Sequence, residues 1–167
     1  MNAPSLTPCP SDAGTREVLS VARRYCELIE SAGPDNASWL RRVAQLLPRL
    51  HAAMASVAAV AIARHDHPVD LDARFDLFSR LRQLLAERDG YFLEFDRAQD
   101  GAEAMSGSLA DDLTDIYCEL KTGLRVYETD RARALDAWAT GYEYHWGRHL
   151  VDAERHLAVL TATNRLD

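Results

Sequence analysis

The chain has 167 residues, enough for one compact domain, and its 47% hydrophobic and 27% charged content is ordinary for a globular protein. A net charge of -7 and a pI near 5.3 argue against a surface that tracks phosphates, so no nucleic-acid role is expected. Cys9, Cys26 and Cys118 are too few and too scattered for a disulfide framework or a Cys-x-x-Cys metal site, and they fit a reducing, cytoplasmic setting.

Residues 1–14, MNAPSLTPCPSDAG, carry three of the six prolines and little apolar periodicity, which reads as a disordered tail ahead of a domain over 15–162. No basic region followed by an apolar run opens the chain, so no signal peptide is expected. Thr15 reads as an N-cap for a first helix over 16–31, with Val18, Ala22, Tyr25, Cys26 and Ile29 on its inner face. Gly33-Pro34 ends it. A second helix follows from Trp39, with Leu40, Val43, Leu46, Leu47, Leu50, Met54 and Val57 on one face; Pro48 should bend or split it. The alanine-rich run 52–63 is too short to span a bilayer, which takes ~20 apolar residues. The arginines Arg41, Arg42 and Arg49 read as a solvated face.

RHDHPVD (64–70) reads as a loop, and its His65 and His67 as exposed loop residues. Asp70 or Asp72 starts a third helix, with Phe75, Phe78, Leu81, Leu84 and Leu85 facing inward and Asp89-Gly90 at its end. YFLEF (91–95) has no evident strand partner, so a turn or short helix is expected, followed by an acidic loop over 96–107. Ser108 with Asp111 suggests a capping box for a fourth helix over 109–128. Asp130 caps a long fifth helix to about 161, in which Gly141 and Gly147 mark a bend or close packing. The sum is an all-α, single-domain bundle of about five helices.

Half of the six histidines fall within 145–156. On a helical wheel His145, His149, Asp152 and His156 occupy one stripe roughly 60° wide along the border of the apolar face. Asp112, Asp115 and Glu119 form a matching acidic stripe beside the apolar face of helix four. The short connection at 128–130 makes the two helices antiparallel neighbours, so the stripes can meet. They can do so through an ion: His145 and His149 at i, i+4, with Asp152, Asp112 or Asp115, suit a divalent transition metal in a bundle. They can also pair directly by hydrogen bonds, and this is the expected arrangement, with no cofactor. No catalytic constellation is complete: there is no His-Glu-x-x-His, no Gly-x-Ser-x-Gly and no phosphate loop.

SLADDLTDIYCELKTGLRVYE (108–128) and YEYHWGRHLVDAERHL (142–157), with LRRVAQLLPRL (40–50), resemble the bacterial family of domain of unknown function 5063, DUF5063. The resemblance runs from helix one to helix five. It implies a helical fold and brings no activity with it. The expected role is a non-enzymatic helical interaction or regulatory module, with a protein partner or a second copy of the chain and no membrane. The alternative is a metal-binding protein, as a metal-dependent hydrolase or oxidoreductase, using the His/Asp seam.

Overall fold

The computed structural model describes residues 12–36, 38–57, 70–93 and 105–166. Its architecture is all-α. Four helices, α1 (Asp12–Glu30), α2 (Trp39–Ala55), α3 (Leu71–Leu85) and α4 (Leu109–Tyr127), pack with a last rod made of α5 (Arg131–Gly141), a π-turn (Tyr142–Trp146) and α6 (Gly147–Ala162). A 3₁₀ turn at Ala86–Arg88 leads from α3 into a two-stranded antiparallel hairpin, β1 (Gly90–Leu93) and β2 (Met105–Ser108). Among the described residues no helix is long and apolar enough to cross a membrane. His65 and His67, and the part of the alanine-rich run beyond Val57, lie outside the described residues.

Helix α4 is the central element. It packs against α1, α3, α5 and α6, and buries Leu109, Leu113, Ile116 and Leu120 completely. Burial of each such side chain contributes about 1.5–3 kcal/mol. Tyr25 of α1 donates its hydroxyl to the Leu113 carbonyl at 2.9 Å in this interior. At the α4–α5 contact, Trp138 lies over Gly123, where an added Cβ would stand 1.9 Å from the indole Nε1. The same indole donates to the Glu119 carbonyl at 3.3 Å. Only a residue without a side chain lets the two helices approach this closely.

Three caps read from the sequence are in place. Asp70 accepts from the Ala73 N–H, Ser108 from Asp111 and Asp130 from Arg133. The capping box at Ser108 is not reciprocal, because Asp111 turns outward to Arg74. Asp89 takes the place, accepting from the Ala110 N–H at 2.7 Å through its side chain and from Leu109 through its carbonyl.

The structure corrects several expectations. Helix α1 starts at Asp12, so residues 12–14 belong to it and Thr15 lies inside it. Pro48 does not split α2, which runs 17 residues through it. The proline sits on the exposed face, while Leu46, Leu47, Leu50 and Met54 hold the opposite face in the core. Phe75 is 65% exposed rather than buried. Leu77, Leu81 and Leu85 set the inward phase of α3 together with Arg74, whose bonds to α4 turn Phe75 to the surface. Residues 91–93 of the segment expected as a turn or short helix are strand: Tyr91 pairs with Gly107 and Phe92 with Ser106. Their partner, MSGS, has no alternation of apolar side chains to announce it. Finally, the long fifth helix is interrupted. Gly141 and Gly147 flank the π-turn, in which the Gly147 N–H reaches five residues back to the Tyr142 carbonyl. A Cβ on Gly147 would stand 2.2 Å from that oxygen.

Candidate functional site

The acidic stripe of α4 meets the histidines of the last rod. His149 Nδ1 lies 2.8 Å from Asp112 Oδ1, and His145 Nδ1 lies 3.2 Å from Glu119 Oε1. These are direct hydrogen bonds, the arrangement expected from the two wheels. The pairs differ in setting: Asp112 is buried and His149 nearly so, whereas His145 is exposed.

The other nitrogen of His149 has a different neighbour. Nε2 stands 3.4 Å from Asp115 Oδ2, close but beyond a good hydrogen bond. Asp115 divides its two oxygens. Oδ1 is held by Arg74 of α3, at 2.8 Å from Nε and 2.6 Å from Nη2, and Oδ2 faces the histidines. Arg74 also reaches Asp111 at 2.9 Å. His145 completes the group, its ring T-shaped against His149 with centroids 5.4 Å apart. One ligand atom each from Asp115, His145 and His149 falls within 4.8 Å of the others.

A second layer holds this group. Tyr91 of β1 donates its hydroxyl to Asp112 Oδ2. Gly107 on the facing strand makes this reach sterically open, since a Cβ there would stand 2.3 Å from the Tyr91 ring. His156 is on the same side of α6 as His149 but two turns further on, roughly 10 Å along the axis. Among the described residues it meets no carboxylate; it stacks on Tyr91 at 4.7 Å and its Nε2 donates to the Arg88 carbonyl at 2.7 Å. Asp152 is not in the converging group. It acts through its charge on Tyr91 and Asp112. Beside His145, the buried indole N–H of Trp146 has no acceptor among the described residues. A Cβ on Gly141 would touch both this nitrogen, at 3.0 Å, and Glu119 Oε2, at 3.2 Å.

The electrostatics follow from this geometry. The hydrogen bond that His149 donates to Asp112 raises the His149 pKa above the ordinary 6.5, against the opposing effect of burial, with the Asp115 charge adding to the rise. Burial pushes the Asp112 carboxyl up, while its bonds from His149 and Tyr91 work the other way. Burial and the bond to Asp112 hold the Tyr91 hydroxyl protonated. Burial also pushes the Cys26 thiol up to about 12 and the Cys118 thiol to about 11, so neither is an activated nucleophile.

Of the five candidate ligands read from the sequence, the structure converges Asp115, His145 and His149, bonds Asp112 to His149, and leaves Asp152 outside the converging group. The sequence did not reveal Arg74 and Tyr91, which come from elements whose phase or pairing it left open. The aromatic YFLEF run was the one signal for Tyr91.

A family model described as Domain of unknown function (DUF5063) matches residues 11–163. No curated protein matches the chain. The crystal structure of protein BF1032 from Bacteroides fragilis is similar, with a TM-score of 0.69 and 22% identity over 89% of this chain and 92% of that one, a likeness of fold.

Proposed function

The chain belongs to the DUF5063 family, a domain of unknown function, and on that premise we propose from the site's geometry that it binds a divalent transition metal. His149 Nε2, Asp115 Oδ2 and His145 are the ligands and Asp112 is the residue that orients them. The observation that carries this reading is the division of labour at His149. One nitrogen is fixed by a buried carboxylate at 2.8 Å, and the other points at a second carboxylate from 3.4 Å.

A metal-bound histidine nearly always donates its remaining N–H to such a carboxylate, which fixes the tautomer and raises ligand basicity. Ligands ~2.0–2.1 Å from a tetrahedral ion stand about 3.3–3.4 Å apart, the separation of Nε2 and Oδ2. Charge favours a cation as well. Asp111 and Asp115 pair with Arg74, while Asp112 and Glu119 bond the two imidazoles, so with neutral histidines these four carboxylates outnumber Arg74 and Arg148, the cations acting on the group. The exposed His145 gives an ion a way in. Imidazole with carboxylate suits zinc, iron or manganese, and such a site supplies Lewis-acid or bound-water chemistry to a hydrolase.

The interaction-module reading keeps the same fold but draws less support. The large apolar side chains exposed among the described residues divide among three elements: Leu71 and Phe75 on α3, Phe92 on β1, and Tyr144, Val151 and Val159 on the last rod.

The test is elemental analysis of protein purified without an affinity tag, followed by titration with zinc, manganese and iron(II). About one equivalent is expected, lost in His149→Gln and His145→Gln and retained in the control His51→Gln. Less than about a tenth of an equivalent, with no thermal shift on adding any of the three ions, overturns the reading.

A further inference from the structure

Across α1 and α2, away from the histidines, three guanidinium groups line one groove. Arg24 of α1 faces Arg42 and Arg49 of α2, with Gln45 between the latter two and the buried Leu28 and Leu46 as a floor. Arg49 is neutralised by Glu17 at 3.0 Å, an exposed pair. Among the described residues no acid pairs with Arg24 or Arg42. Two uncompensated positive charges thus share a small concavity on a chain whose net charge is -7. Like charges on one concavity repel, and an anion between them relieves that repulsion.

We propose that this groove binds a phosphate-class anion of two or more negative charges. Size sets the class. The groove holds ≈ 230 Å³, the share of roughly seven or eight waters at ~30 Å³ each. That accommodates a pyrophosphate group and falls short of the ~300–1,000 Å³ typical of pockets that bury a whole drug-sized molecule. The ligand is therefore a small free polyanion, or the charged head of a larger molecule whose remainder stays outside. Arginine suits this task better than lysine, because its planar fork gives two parallel hydrogen bonds to phosphate oxygens.

The experiment uses the full chain, stripped of metal by chelator and dialysed, so that phosphate cannot bind through an ion at the histidine site. Inorganic pyrophosphate is titrated by calorimetry at low ionic strength. Saturable binding is expected, at least about tenfold weaker in the double variant Arg24→Gln/Arg42→Gln and weakened without being abolished by Arg42→Lys. Both arginines are exposed, and circular dichroism checks that the variants fold. A nucleoside diphosphate in solution and vesicles carrying a phosphomonoester headgroup then identify the source of the phosphate, and binding of either supports the site. No saturable heat with pyrophosphate, or an affinity unchanged in the double variant, overturns the proposal whatever the fate of the metal reading.

Discussion

His149 and Asp112 form a hydrogen bond of 2.8 Å at the border of the core, and the Asp112 oxygen on the far side is occupied by Tyr91. One buried carboxylate thus ties three elements together: α4, α6 and the hairpin. Its removal should be felt in both stability and ligand binding.

Asp112→Asn tests the orienting role. It removes the charge that holds His149 while keeping shape and some hydrogen bonding. Metal affinity, measured by competition with a chromophoric chelator, should fall by about 10–100-fold. Stability should drop by about 1–3 kcal/mol in urea unfolding. Asp152→Asn, outside the converging group, should change metal affinity by much less. Equal losses in the two variants would mean that general negative charge, not orientation, governs the site.

The His149 pair also sets a pH dependence whose sign reverses with metal. Without metal, the His149 pKa is higher folded than unfolded, where it stands near 6.5. The stabilisation is then fully present below that value and is lost as pH rises through the folded one. The raised Asp112 carboxyl acts in the same sense at the acidic end. With metal bound, both imidazoles must be neutral, so acid releases the ion and stability falls as pH drops. Melting temperatures across pH 5.5–8.5, with chelator and with zinc, should slope in opposite directions in the wild type. In His149→Gln the slope in chelator should flatten.

Arg74→Gln should separate folding from binding. Arg74 competes for Asp115 and places a positive charge next to the proposed ion. Its loss should cost about 1 kcal/mol of metal-free stability, as expected for a partly exposed ion pair. Divalent affinity should rise. A fall in affinity would show that Arg74 is needed to aim Asp115 Oδ2 at the histidines.

Two glycines carry packing predictions. Gly123→Ala would push a methyl into Trp138 and should destabilise by about 1–3 kcal/mol, seen as a lower urea midpoint with unchanged slope. Gly147→Ala meets the Tyr142 carbonyl instead and strains the π-turn that carries His145, just ahead of His149. It should weaken metal binding as well as stability, whereas Gly123→Ala should leave metal affinity within about threefold once folded protein is compared.

Much of this was legible in the residues alone. Apolar positions at helical spacing fixed five rods and nearly all of their buried faces, because a helix that must bury a stripe announces it locally. Asp70, Ser108 and Asp130 marked three helix starts for the same reason: a cap bonds a backbone N–H only three residues away. The tight connection between their helices made it possible for the acidic and histidine stripes to meet, and the handedness of the packing, which the sequence does not fix, decides that they do. What needed the tertiary structure was every contact between distant stretches. Tyr91 reaches Asp112 only because residues 90–93 pair with 105–108, and the glycine-bearing MSGS segment gives no local sign of it. Arg74 reaches Asp115 through a helix phase that Phe75 obscured in the sequence. Which nitrogen of His149 faces Asp112 and which faces Asp115 follows from the approach of α4 and the last rod, set by Gly123 under Trp138. The periodic, local part of the free energy is written along the chain; the choice of partner is made where non-local surfaces exclude all but a few side chains.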